Sequence, residues 1–421
     1  MSSAGTARTR SPSSADAPRI ALRVEPETVL VDQPARIAAV GLTPGQAITI
    51  RAQIRRKPYR FVSQATFRAD ASGVVALDRD APLIGSYAGV DAMGLLWSML
   101  PDSTLPEPGP SASSDVADLP VFNPPAPVVI RLELLVDGRA IGVARFTQEY
   151  RAPGVRELAL REDGLVGTLF LPPRGRRPSA AILVLGGSEG GQSTDRAMLL
   201  AAHGYAALAL AYFRDEGLPA QLVDIPLEYF GRALTWLRTQ RDVDGAPVAV
   251  VGGSRGAEVA LLLGANFAEV RAVVAYAPSS IVWSGIPPVG GNGRFAAWTY
   301  RGEPMPGGVG RKTLDDPDSV ARFAIPVEQV RGPILLVAGA EDRLWPSARM
   351  AQMVADRFQS RQHTYASTVL VYPNAGHAIA FPYVPVAPRL QLGGTVIGTA
   401  TADRESWRAV LAFLHDHVAR E

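Results

Sequence analysis

Residues Val248–Gly264, VAVVGGSRGAEVALLLG, constrain the chain more than any other stretch. Val248-Ala249-Val250-Val251 is apolar and mostly β-branched, the pattern of a strand buried on both faces. It runs straight into Gly252-Gly253-Ser254-Arg255-Gly256, and an apolar helical segment follows without a linker. A G-x-S-x-G turn between strand and helix forces its serine into a strained backbone geometry. Glycines beside it remove Cβ atoms that would collide there. The Ser254 hydroxyl is then presented above the sheet edge, beside the positive end of the helix. The plainer reading is an ordinary serine in a tight glycine turn. The flanking strand and helix favour a nucleophile.

A serine hydroxyl is a poor nucleophile until a base takes its proton, and the base needs an acid to orient it. On this kind of strand–turn–helix scaffold the chain order is Ser, then Asp or Glu, then His. Both partners follow in order. The apolar strand Ile334–Ala338 ends in Gly339-Ala340-Glu341-Asp342, and the strand Thr368–Tyr372 ends in Pro373-Asn374-Ala375-Gly376-His377. His377 is the expected base. His203 lies near a helix end, His363 in a polar connector, and His415 and His417 on the terminal helix. Asp342 is the expected acid, with Glu341 its neighbour and competitor. An oxyanion hole needs two preorganised N–H donors. The N–H of Arg255 is one candidate. The loop Gly186-Gly187-Ser188-Glu189-Gly190-Gly191 supplies the other at Ser188, and it lacks the lysine of a phosphate-binding loop.

The chain divides by pattern. Residues 1–18, rich in Ser, Ala, Thr and Arg, read as a disordered tail with no apolar leader segment. Residues 19–150 read as short strands separated by turn signals, an antiparallel sandwich interrupted by a Pro/Ser-rich insertion at 101–127. From 155 to 421, strands alternate with helices, which implies a mostly parallel sheet flanked by helices, the α/β-hydrolase architecture. The chain has no cysteine, so disulfides and a thiol nucleophile are excluded, and five histidines without H-E-x-x-H argue against a metal site. A net charge of +2 argues against nucleic acid, and no apolar run spans a membrane. No metal or cofactor is expected, and the cytoplasm is the default location.

A longer match carries a family resemblance. Gly85-Ser-Tyr-Ala-Gly-Val-Asp-Ala-Met-Gly-Leu-Leu-Trp-Ser-Met99, with Ser63–Phe67 and Ala69–Gly73 before it, resembles the acyl-CoA thioesterase / bile acid-CoA:amino acid N-acyltransferase family. So do Leu185–Gly191, Leu199–Ala206, Ala211–Phe213 and Gly253–Ala260. The resemblance spans about residues 20–418. It implies an N-terminal immunoglobulin-like β-sandwich joined to an α/β-hydrolase domain, with a triad falling on Ser254, Asp342 and His377. It also implies an acyl thioester substrate, acyl-CoA foremost. The family nucleophile is serine in the thioesterases and cysteine in the acyltransferase, so Ser254 favours hydrolysis. Acyl transfer to an amine or alcohol, or hydrolysis of an oxygen ester or lactone, uses the same triad. Gly187 and Glu189 are expected at the substrate. So are Trp283 and Trp298, on a Gly/Pro-rich stretch at 278–326 that reads either as a lid over an acyl pocket or as a surface excursion. Glu258, one turn into the elbow helix, is marked by the resemblance and otherwise reads as a solvated helix glutamate. Arg51, Arg55, Arg56, Lys57 and Arg60 read as a solvated strand face, with coenzyme A phosphates as the alternative partner.

Overall fold

The structure is a computed structural model, which describes residues 19–56, 59–102, 126–174, 179–244, 248–287, 295–360 and 364–418. The expected tail at 1–18, most of the 101–127 insertion, Lys57 and His363 lie outside the described residues.

Residues 19–150 form two facing sheets. One contains Ala21–Glu25, Arg36–Val40 and Val75–Ala76. The larger is built around Ala47–Arg56, paired antiparallel with Tyr59–Arg68 on one side and Val128–Val136 on the other, with Arg139–Glu149 beyond. The strand Ala47–Arg56 shows the cause of the arrangement. Ile48, Ile50, Ala52 and Ile54 are buried, while the alternate positions Ala47, Thr49, Arg51 and Gln53 are not. Period-2 patterning turns one apolar face inward. That face meets Ile37, Ala39 and Val75 of the smaller sheet in one core.

The C-terminal sheet has eight strands, labelled β1–β8 in chain order: Arg156–Leu160, Val166–Leu171, Ala181–Leu185, Ala206–Ala211, Val248–Gly253, Val270–Tyr276, Ile334–Gly339 and Ser367–Tyr372. Their spatial order is β1-β2-β4-β3-β5-β6-β7-β8. β1–β2 and β2–β4 are antiparallel, and every later neighbour is parallel. Among the described residues, helices packed on the sheet include α1 (Thr194–Ala202), α2 (Leu227–Thr239), α3 (Arg255–Asn266), α4 (Ser347–Ser360) and α5 (Val396–His417). Both faces of the sheet are buried. Leu183, Val250, Val273 and Leu336 pack with α2, α3 and α4. Ile182, Val184, Val251 and Val274 pack with α1 and α5. This explains the unbroken apolar runs of the central strands. Among the described residues no helix is long and apolar enough to cross a membrane.

Three elements go beyond the sequence reading. The strands β1 and β2 extend the sheet on its antiparallel side. α5, the terminal helix, begins as early as Val396. Its first turns carry Gly398, Thr399 and Thr401, poor helix formers, and its buried face includes Thr399, Asp403 and Ser406. No apolar period announces it. The Thr395 hydroxyl caps it by accepting from the Gly398 N–H at 3.1 Å.

Candidate active site

Ser254 stands between β5 and α3 with φ 55 and ψ −118, a left-sided conformation that a non-glycine residue rarely adopts. Its neighbours make that possible. A Cβ on Gly252 would come within 2.1 Å of the Gly256 carbonyl oxygen, and one on Gly256 within 2.3 Å of the Gly186 carbonyl oxygen. The turn therefore closes only with glycine at both positions. Arg255 opens the helix, so its N–H is among those that an α-helix leaves without an intrahelical acceptor.

The expected acid and base, Asp342 and His377, sit on the loops after β7 and β8. Asp342 Oδ2 lies 2.8 Å from His377 Nδ1 and accepts from the Ser347 hydroxyl at 2.6 Å. Asp342 Oδ1 accepts the Leu344 and Trp345 N–H groups at 2.9 and 3.1 Å. The carboxyl is buried and held by four donors, the environment of an orienting acid rather than a solvated turn residue. Glu341, the competitor, is exposed. The Trp345 ring meets the imidazole edge-on at 5.7 Å and stacks on Trp283 at 6.0 Å. The two loops are stitched by a third segment that sequence reading missed. Asp342 bridges Gly393, Ala375 bridges Gly394, and the His377 N–H donates to the Leu392 carbonyl. Gly393 has φ 103, and a Cβ there would lie 2.0 Å from the Glu341 carbonyl oxygen. A Gly-Gly pair before a helix was the signal available.

Ser254 and His377 line one cavity of about 490 Å³, together with Gly187, Ser188 and Glu189 from the loop after β3. Its wall crosses the boundary between the two halves, with Ile54, Phe61 and Tyr150 from the sandwich and Ile379, Phe381 and Val384 from the segment after His377. Glu189 faces its own loop, and Oε1 accepts the Gly187 N–H at 2.7 Å. Burial pushes its carboxyl above the usual range, against the pull of the loop N–H groups and of His377.

Trp283 and Trp298 lie elsewhere than expected. Neither lines the cavity, and no described residue of 278–326 does. Trp298 is fully buried, and its indole N–H donates to Glu258 Oε1 at 2.7 Å. The Trp283 backbone N–H donates to the same oxygen at 3.1 Å. Glu258 is fully buried, not solvated, and pairs with Arg255 Nη1 at 2.9 Å. Burial raises its carboxyl, and the Arg255 charge opposes that rise. Arg255 Nη2 donates to the Trp283 and Ser284 carbonyls. Trp283, Ser284 and Trp298 are thus fastened to the elbow helix, and among the described residues the stretch does not line the cavity. In the basic cluster, Arg51 reaches Gln64 and Glu133, and Arg60 pairs with Asp102, partners that suit a strand face.

Comparison with known proteins agrees with this architecture over nearly the whole chain. Residues 225–420 match the family model described as BAAT / acyl-CoA thioester hydrolase C terminal. Residues 32–162 match the acyl-CoA thioester hydrolase/BAAT N-terminal region. Bile acid-CoA:amino acid N-acyltransferase of Mus musculus is 32% identical over 423 residues, covering 94% of this chain and 97% of that one. The chain belongs to the acyl-CoA thioester hydrolase/BAAT family. Two further members are similar to it. Peroxisomal succinyl-coenzyme A thioesterase of Mus musculus is 32% identical, over 92% of this chain and 94% of its own. Acyl-coenzyme A thioesterase 1 of Homo sapiens is 32% identical, over the same shares. In this family member the signature run Gly85–Met99 lies against the sandwich core. There Met93, Leu95, Leu96 and Met99 are buried, and Asp91 accepts from the Trp97 indole at 3.0 Å.

Proposed function

We propose that this protein is a serine hydrolase that cleaves acyl thioesters, acyl-CoA foremost, to a carboxylic acid and a thiol through an acyl-enzyme. One observation carries the reading. The Asp342–His377 pair, at 2.8 Å, opens on the cavity that also exposes a serine held at φ 55 on a strand–helix elbow. His377 takes the Ser254 proton as Oγ attacks the thioester carbonyl. Asp342 fixes the Nδ1–H tautomer and balances the charge on the imidazolium. The developing oxyanion faces the N–H groups of Arg255 and Ser188, each such donor contributing about 3 kcal/mol to the transition state. The proton returns to the departing sulfur, the C–S bond breaks, and the thiol leaves. Water then enters, gives its proton to His377 and attacks the acyl-serine carbonyl. The acid leaves as Ser254 regains its proton.

The test is thiol release across a panel of acyl-CoA substrates. Ser254→Ala should lower kcat by roughly 10³-fold or more with an unchanged melting temperature. Wild-type turnover in that variant would end the proposal. Transfer to an amine is the second reading, because one of the similar proteins is named an N-acyltransferase. An acyl-oxygen ester at Ser254 reacts readily with water, which favours hydrolysis. A free-acid product that persists when glycine or taurine is added would decide for it, and an amide product would decide against it.

A further inference from the structure

One ionisable group of the cavity has no part in the steps above. Glu189 sits on the loop after β3, and its carboxyl turns back onto that loop. Oε1 accepts the Gly187 N–H at 2.7 Å. The carbonyl of the same peptide unit, on Gly186, accepts the Tyr212 hydroxyl at 2.7 Å. The Gly186–Gly187 peptide is therefore gripped at both ends, and a planar trans peptide held at both ends cannot rotate. The next carbonyl, on Gly187, accepts the Gly190 N–H at 3.3 Å. In a trans peptide the N–H points opposite the C=O, so that bond also fixes the direction of the Ser188 N–H.

The grip lies against the nucleophile. The space that a Cβ on Gly187 would fill is bounded by Glu189 Oε2 at 2.7 Å on one side and Ser254 Cβ at 3.2 Å on the other. The remaining charged and titratable groups around the loop have their own engagements. Asp195 on α1 takes the Arg196 N–H, and Asp215 takes the Gln192 amide. Arg255 is paired with Glu258, Arg389 with Asp403, and His377 with Asp342. Arg196 lies over the Tyr276 ring, and the aliphatic stem of Arg214 packs against Gly190.

We propose that Glu189 is a positioning residue of the hydrolytic site. With Tyr212 it clamps the Gly186–Gly187 peptide and so holds the oxyanion loop, Ser188 included, in register with Ser254. The inference rests on the reading of Ser254 as nucleophile. What matters is an acceptor oxygen at the reach of a glutamate, not a negative charge and not contact with substrate. A misaligned oxyanion donor loses transition-state stabilisation while substrate binding persists, so the signature is in kcat rather than KM.

The experiment compares Glu189→Gln, Glu189→Asp, Glu189→Ala and Tyr212→Phe on an acyl-CoA that the wild type hydrolyses and Ser254→Ala does not. Glu189→Gln keeps the acceptor at the same reach and should hold kcat within about threefold of wild type. Glu189→Asp keeps the charge but falls a methylene short, and it should lose kcat as Glu189→Ala does, by about 10-fold or more with KM nearly constant. Tyr212→Phe combined with Glu189→Ala should lose less than the product of the single losses, because both release the same peptide. If Glu189→Ala does not fold, the Gln–Asp comparison decides alone. Equal loss in Gln and Ala would overturn the proposal, as would full kcat in Asp or a loss confined to KM. Turnover that survives Ser254→Ala would instead remove the nucleophile assignment itself, a distinct outcome.

Discussion

At the residue scale the nucleophile turn depends on missing atoms. Gly256→Ala would place a methyl against two fixed backbone carbonyls, those of Leu185 and Gly186. It should destabilise the fold by about 2–3 kcal/mol and depress turnover in step, as urea denaturation and kcat would record. Gly253 is the control for stability. Nothing lies within 4 Å of a Cβ there, so Gly253→Ala should be close to wild type in urea denaturation. Glu189 adds a pH dependence. Its folded carboxyl is raised by burial from an ordinary 4.5, so the folded state holds that proton more tightly than the unfolded chain. The resulting stability is present below the ordinary carboxylate range and is lost as pH climbs through the folded value. Glu189→Gln has no such proton to lose. Its melting temperature relative to wild type should therefore rise as pH climbs from the ordinary carboxylate value through the raised folded one. The placement of Ser254, Asp342 and His377 just after strands was legible because each follows an apolar run on a turn with a recognisable composition. Trp283 and Trp298 were misplaced because an aromatic in a Gly/Pro-rich stretch looks the same whether it packs inward or roofs a pocket.

Among the elements, α3 does more than follow Ser254. Its first turn carries Arg255 and Glu258, a fully buried ion pair that takes hydrogen bonds from Trp298 and from the Trp283 backbone and gives them to the Trp283 and Ser284 carbonyls. The pair thereby ties Trp283, Ser284 and Trp298 to the elbow. Removing one partner leaves the other charge buried and uncompensated. Glu258→Ala should cost about 3–5 kcal/mol in denaturant unfolding. Sequence pattern could not announce this, because a glutamate at one position of an otherwise apolar helix looks like its solvated side. The same limit hid the first half of α5, where the buried face is built from Thr399, Asp403 and Ser406. The strands were the opposite case. Alternation in Ala47–Arg56 and the apolar runs of β3 to β7, interrupted at Arg271 in β6, report their burial directly.

For the whole molecule, the two halves share a wall. Asp91 of the signature run pairs with Arg404 of α5 at 3.0 Å. Asp32 of the sandwich lies 2.5 Å from His203 Nε2 and takes the Trp407 indole at 2.8 Å. Tyr383, Val386 and Ala400 of the C-terminal half belong to the sandwich core. The change of hydrophobic period at about residue 150 is readable in the sequence. The docking is not, since it joins residues hundreds of positions apart. Ile54→Trp should narrow the cavity from the sandwich side. Its kcat/KM for a bulky acyl-CoA should fall about 10-fold or more against a short one. Labelling of Ser254 by a small fluorophosphonate should be unchanged.

That shared wall separates two kinds of change that most enzymes must make in one place. The groups assigned to bond breaking all come from the second half, whereas Ile54, Phe61 and Tyr150 come from the first. A lineage could therefore retune which acyl group it accepts by drift in the sandwich alone. A library restricted at those three buried positions to apolar residues of similar volume would sample new selectivities while leaving the groups assigned to bond breaking in place.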